Sequence, residues 1–237
     1  MSSQANGPGD QRQASGQAEL LWKQCTAMFA AGAALGPLCD GQHSSHDVLH
    51  YERPVMLQIE PVNLHLETCW WVPLLFGCAG VILGIGHPLL DDLLAPTPDK
   101  AGTPAGGRAP GWGFVYLGIA LFVMQYAASG ALEQPLLHTR LLGLPAIDLL
   151  LAATAVAHWW SFDRTRQGFF WAVLTAAAGP AVEIFLINAL HLYHYSHPQL
   201  LGIPTWIPWV YFCGAPAVGG LGRRVRRLLE AQIRDAS

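Results

Sequence analysis

Charge is spread so unevenly along this chain that six windows of about 20 residues carry at most one Asp, Glu, Lys or Arg each. They run over about 20–39, 69–87, 112–132, 141–160, 168–192 and 205–222. A soluble helix turns a polar face to water, whereas a helix crossing a hydrocarbon core of about 30 Å needs ~20 mostly apolar residues. Only 12% of the 237 residues are charged, about half the share usual in a soluble domain. The expected fold class is all-α: a polytopic membrane protein, a bundle of six transmembrane helices.

Pro73, Pro145, Pro180, Pro208 and Pro216 fall within or beside these windows. Bilayer helices tolerate them because neighbouring helices satisfy the freed carbonyls. Small residues gather at Gly77-Cys78-Ala79-Gly80, at Gly84 and Gly86, and at Ala176-Ala177-Ala178-Gly179. Such faces let helices approach closely, which favours a packed bundle over a water-filled pore.

Six spans divide the basic residues sharply. Eleven of the 13 Lys and Arg fall on one side: Arg12 and Lys23, Lys100 and Arg108, Arg164 and Arg166, and five in the tail from Arg223. Only Arg53 and Arg140 fall on the other. The positive-inside rule then places both termini in the cytosol. Residues 1–19 read as a disordered cytosolic tail without a cleavable leader, and 223–237 as a basic cytosolic tail. Residues 20–222 form the membrane domain between them. The Pro- and Gly-rich stretch 92–111 reads as a flexible cytosolic linker. Residues 40–68, polar and rich in histidine, are expected to be luminal, with Cys39 and Cys69 at their edges and able to pair only if the fold brings them together.

Inside the windows, Asp148 and Glu183 need a reason, since a charge at mid-bilayer costs at least about 3 kcal/mol. They could serve an ion or proton relay in a small carrier, contact a buried ligand, or make an interhelical hydrogen bond. His191, His194 and His197 recur every three residues beside Tyr193 and Tyr195. That spacing suits either metal ligands on one helical side or a wet interfacial belt ended by Pro198. No Gly-x-Ser-x-Gly elbow or phosphate-cradling loop is present, so neither an enzyme nor a cofactor or metal site is expected. The arginines at 223–227 suit a topology anchor or anionic lipid, not nucleic acid.

The run His158-Trp159-Trp160-Ser161-Phe162-Asp163-Arg164-Thr165-Arg166-Gln167-Gly168 carries the sharpest signal. Indoles at the headgroup level followed by arginines are what a helix end at the cytosolic surface requires. Asp163 adds nothing to that anchoring. It could cap the next helix, pair with Arg164 and Arg166, or meet another membrane protein.

At these residues the chain resembles the Insig (insulin-induced gene) family of endoplasmic-reticulum membrane proteins. One block is Trp70-Trp71-Val72-Pro73 with Gly77, Ala79, Gly80, Gly84, Pro88 and Asp91. A second is Trp159 to Arg166 with Gly168. A third runs from Tyr195 and Pro198 through Trp206-Ile207-Pro208, Phe212, Gly214 and Gly219 to Gly222-Arg223, and Ala128-Ser129 with Leu132 adds a short match. The resemblance implies a regulator that binds oxysterol or another membrane lipid, retains the SREBP cleavage-activating protein in the endoplasmic reticulum, and directs HMG-CoA reductase to degradation. It implies lipid contact for Phe122 and Trp159, and partner contact for Asp163 with its neighbours Arg164 and Arg166. Asp148 joins the lipid-binding candidates because a family glutamine near Ala146 is replaced here. Two further departures stand out: a longer loop from Glu133 to Leu141, and Glu183 without a family counterpart. Self-association is left open.

Overall fold

Without water to satisfy it, an apolar backbone segment must close its own hydrogen bonds, and each of the six windows contributes a helix. The computed structural model describes residues 8–60, 64–94 and 110–235. The helices are α1 Pro8–Ser45, α2 Val72–Leu94, α3 Trp112–Leu136, α4 Ala146–Phe162, α5 Arg166–Asn188 and α6 Ile207–Asp235. α2, α3 and α5 are long and apolar enough to cross a membrane, and α4 is a shorter apolar helix. The burial pattern is that of a protein in lipid. Ile82, Leu89, Leu117, Leu121, Val173 and Phe185 face outward, while Gln24, His43, His87, Ser129 and Glu133 are buried.

α1 and α6 outrun their windows. α1 starts at Pro8, inside the stretch expected as a disordered tail, and α6 continues through most of the basic tail. Both extensions are rich in Gln, Ala, Glu, Arg and Leu, which favour helix, and each carries an i,i+4 ion pair, Glu19–Lys23 at 2.6 Å and Arg226–Glu230 at 2.9 Å. Residues 1–7 and 236–237 lie outside the described residues. So does 95–109, the bulk of the expected linker with Lys100 and Arg108.

The glycine-rich face of α2 packs on α1. A methyl group on Gly80 would meet the Met28 carbonyl oxygen at 2.6 Å, so the two backbones touch where a side chain would part them. Gln24, 4% exposed, bolts three helices together: its amide donates to Gly84 O at 3.1 Å on α2 and Gly222 O at 3.3 Å on α6. Beyond this point Gly16 and Leu20 of α1 line one groove with Ile233 and Arg234 of α6, so the start of α1 and the end of α6 lie at the same end of the bundle.

The all-α expectation needs amending at the opposite end, where, among the described residues, six short strands pair in twos. β1 (Leu49–Tyr51) pairs antiparallel with β6 (Tyr193–Tyr195), β2 (Val55–Ile59) with β3 (Leu64–Thr68), and β4 (Arg140–Leu141) with β5 (Leu144–Pro145). β6 corrects the histidine reading. α5 stops at Asn188 and His191 takes a φ of +49°, so the window 168–192 does not run to Pro198 as one helix. The period that matters in Tyr193-His194-Tyr195 is two: both tyrosines are buried and His194 faces out. Cys39 and Cys69 are buried free thiols, and Cys69 donates to Arg53 O at 3.3 Å.

Candidate functional site

Each residue of the turn between α4 and α5 has a structural task. Asp163 ends α4, its N–H reaching Trp159 O at 3.0 Å. Arg164 follows in the left-handed region (φ 56°), with its own N–H on the same carbonyl at 2.8 Å. A non-glycine residue here costs about 1–2 kcal/mol. The Arg164 guanidinium lies 4.2 Å from the centre of the Trp160 ring, a cation–π contact that offsets part of that cost. Thr165 caps α5 by accepting from Gly168 N at 3.0 Å, and the Trp159 indole closes the turn by donating to Thr165 O at 3.2 Å.

Asp163 turns inward, its side chain fully buried. Oδ1 accepts from Thr165 Oγ1 at 2.8 Å and from Arg223 Nη1 of α6 at 2.9 Å. Oδ2 lies 3.0 Å from His87 Nε2 of α2, an ion-pair separation without the alignment of a good hydrogen bond. Arg223 also grips Asp91 of α2 with two donors, Nε at 2.5 Å and Nη2 at 2.8 Å, and Gln167 of α5 donates to the same carboxylate at 3.0 Å. Burial pushes the Asp163 carboxyl up, but the His87 contact, the Arg223 charge and the Thr165 hydroxyl outweigh it and hold its pKa below the ordinary carboxylate value. Its cation is Arg223, therefore, and not Arg164 or Arg166, both of which are exposed. Gly168 is required because any side chain there would run into the Asp163 carboxylate.

A second feature lies along the bundle axis. α1, α2, α3, α5 and α6 line a partly open apolar cavity of about 110 Å³, bordered among others by Met28, Phe76, Leu83, Phe122, Val210 and Leu221. Polar side chains reach it at the strand end: His43, Tyr126, Glu183 and Tyr211. Glu183 accepts from Tyr195 at 2.7 Å and Tyr211 at 2.6 Å. Asp40, just behind, accepts from Tyr126 at 2.9 Å and from Tyr51. His43 reaches Ser129 Oγ at 2.9 Å and stacks on Tyr126, with ring centres 4.3 Å apart. A wider groove of about 440 Å³ runs outside, between α3 and α4, past Met124, Leu151, His158 and Phe162.

The sequence candidates distribute unevenly over these features. Phe122 lines the cavity, 3.2 Å from where a side chain on Gly214 would begin. Trp159 borders neither space, packing on Trp160 and Phe169 instead. Asp148 sits in the first turn of α4 and accepts from Thr205 Oγ1 at 3.0 Å, a bond between helix starts. Glu183 is held by tyrosines, the interhelical hydrogen bond considered for it. His87, Asp91 and Arg223 were not singled out as site residues. A signal for two of them was present nonetheless, since Asp91 falls in the first block of resemblance and Arg223 in the third, as Asp163 does in the second.

A profile described as Insulin-induced protein (INSIG) matches residues 23–226. The chain belongs to the Insig family. It is 30% identical over 211 residues to the insulin-induced gene 1 protein of Danio rerio, covering 88% of this chain and 74% of that one. It is 28% identical over 221 residues to the Gallus gallus protein of the same name, covering 91% and 79%. Among solved structures, a mycobacterial Insig homolog from Mycobacterium vanbaalenii superposes with a TM-score of 0.64 at 21% identity, over 85% of this chain and 93% of that one. A cross-linked trimer of that homolog scores 0.63 at 22% identity, covering 85% and 93%. This chain is thus a multi-pass membrane protein of a family associated with sterol regulation.

Proposed function

We propose that this Insig protein is a lipid-sensing adaptor of the endoplasmic-reticulum membrane, not an enzyme, with six spans and both termini in the cytosol. Its ligand is an oxysterol or another membrane lipid seated in the cavity against Phe122. Its partners are sterol-sensing-domain proteins, the SREBP cleavage-activating protein and HMG-CoA reductase, met at the α4–α5 turn. One observation carries the reading. α6 lines the cavity from Val210 to Leu221 and, two residues on, holds Asp163 through Arg223. At about 110 Å³ the cavity is well below the ~300 Å³ of ordinary ligand pockets, so a lipid entering it must part the helices. Moving α6 moves Arg223, and with it the turn that presents Arg164 and Arg166. Lipid and partner are then linked, each strengthening the other's binding.

The test is capture of the SREBP cleavage-activating protein with and without oxysterol, beside native mass spectrometry for co-purified lipid. Phe122→Ala should lose lipid and the sterol dependence of capture, while Asp163→Ala should lose capture at every sterol level. Sterol-dependent capture by Phe122→Ala would refute the cavity as the sensor. One observation favours a different seat for the lipid, the α3–α4 groove: His158 is 6% exposed there and its Nε2 lacks a hydrogen-bond partner among the described residues. In that case His158→Ala, and not Phe122→Ala, removes the lipid.

A further inference from the structure

Two turns at the end of the bundle opposite Asp163 share one sequence pattern and one geometry. Leu141-Leu142-Gly143-Leu144 joins β4 to β5, and Leu200-Leu201-Gly202-Ile203 lies shortly before α6. In each the outer residues pair across the turn, Leu141 with Leu144 and Leu200 with Ile203. In each the central residues have positive φ, 54° and 79° at Leu142-Gly143, 50° and 91° at Leu201-Gly202. Two successive left-handed residues mark a type I′ turn, which in water takes Asn, Asp or Gly at its first central position. Here that position holds leucine twice. Leu142 is 90% exposed and Leu201 65%, while Leu141, Leu144 and Leu200 are 58%, 53% and 56% exposed. A strained leucine wetted at the apex of a loop is unfavourable on both counts, and it occurs at both sites.

We propose that both tips are immersed in the bilayer, with Leu142 and Leu201 among the acyl chains just below the headgroups of the leaflet at that end. The length of α4 supports this. Its 17 residues rise about 25 Å, less than the ~30 Å hydrocarbon core, and the first hairpin supplies leucines where the helix runs out. Much of the backbone beside the tips is paired as well. Leu141 pairs with Leu144 and the Ala146 N–H bonds Thr139 O at 2.9 Å at the first, and the Asn188 amide donates to Leu201 O at 2.9 Å in the second. The leucines also continue an apolar exterior already turned to lipid: Leu150 on α4, Phe185 on α5 and Leu190 just beyond its end. Exposed Arg140 stands one residue before Leu141, where its long stem can carry the guanidinium up to the phosphates. The Thr205–Asp148 bond ties the starts of α4 and α6, so the two tips form one rim that sets how deep the bundle sits.

Two measurements test this in lipid nanodiscs, independently of any ligand or partner. Spin labels at Leu142→Cys and Leu201→Cys, with Cys25 and Cys78 changed to Ala, should be accessible to oxygen and shielded from an aqueous nickel chelate. A label at Glu52→Cys, whose native side chain is 56% exposed, should be open to the chelate. Chelate access at the tips equal to that control overturns the proposal. The second measurement has opposite signs in water and lipid. Leu142→Asn and Leu201→Asn relieve the turn's strain and raise the melting temperature of a tip in water. In lipid they bury an amide among acyl chains and lower it, the result expected here. A raised or unchanged melting temperature overturns the proposal, and the labels decide if an Asn variant does not fold.

Discussion

The two ends of the bundle bury carboxylates in opposite ways. At the end where α1 starts and α6 finishes, Asp91 and Asp163 share the guanidinium of Arg223, and Arg226 pairs with Asp92 at 2.6 Å. At the strand end, Asp40 and Glu183 are held by tyrosine hydroxyls, and Glu133 by the Trp206 indole at 3.2 Å with His197 Nδ1 3.5 Å from its other oxygen. Among the described residues, neither Asp40 nor Glu183 has an ion-pair partner. The ionic end depends on one arginine shared by two carboxylates, so losing it takes the guanidinium from both at once and leaves Asp91 with Gln167 and Asp163 with Thr165 and the His87 contact. The tyrosine end divides the same task among several neutral donors, each worth about 1 kcal/mol. A molecule that must move at one end and keep its shape at the other is served by that asymmetry.

Arg223→Ala should give the largest effect, a loss of about 3–5 kcal/mol in unfolding by denaturing detergent, because it strands Asp91 and Asp163. Arg223→Lys should recover only part of this, since an ammonium cannot reproduce three fork-shaped contacts to two carboxylates. Tyr195→Phe at the other end should cost about 1 kcal/mol. If Tyr195→Phe costs as much as Arg223→Ala, the contrast between the ends fails.

Acid should act on the ionic end. Ionised Asp163 has a pKa held below the ordinary carboxylate value near 3.9, so its contribution is fully present at neutral pH. It should fade as pH falls below about 4 and vanish below the depressed native pKa. Asp163→Asn should start less stable at pH 7 and lose less between pH 5 and 3. A parallel loss in the two proteins over that range would mean that Asp163 is not held ionised by Arg223.

The helices were legible because lipid imposes one rule everywhere: an apolar window closes its own hydrogen bonds, and 112–132 or 205–222 could do little else. Their ends were not. Beyond the bilayer, propensity and partner contacts decide, so α1 began earlier than hydropathy placed it and α5 stopped well before Pro198. In the site, the Asp163 turn stood out because an acid among anchoring arginines breaks the pattern. Arg223 did not, since one arginine in a basic run looks like an anchor until the fold brings Asp91 and Asp163 to it. The strand-end tyrosines were likewise hidden, because Tyr51, Tyr126, Tyr195 and Tyr211 are far apart in sequence and meet only around Asp40 and Glu183.

The smallest expected effect sharpens the comparison most, because it separates holding the turn from being touched through it. Arg164→Gly relieves a left-handed φ of 56° and loses the contact with Trp160 at 4.2 Å. The first change gains about 1–2 kcal/mol and the second costs about 0.5–1 kcal/mol, so stability should rise by no more than ~1.5 kcal/mol. Asp163→Ala, by contrast, empties a fully buried position. If the partner meets the exposed face of the turn, Arg164→Gly should weaken its capture several-fold in a protein at least as stable as the native one, and Asp163→Ala should weaken capture only together with stability. Full capture by Arg164→Gly would move the contact off this face and leave Asp163 acting solely through the placement of α4 and α5.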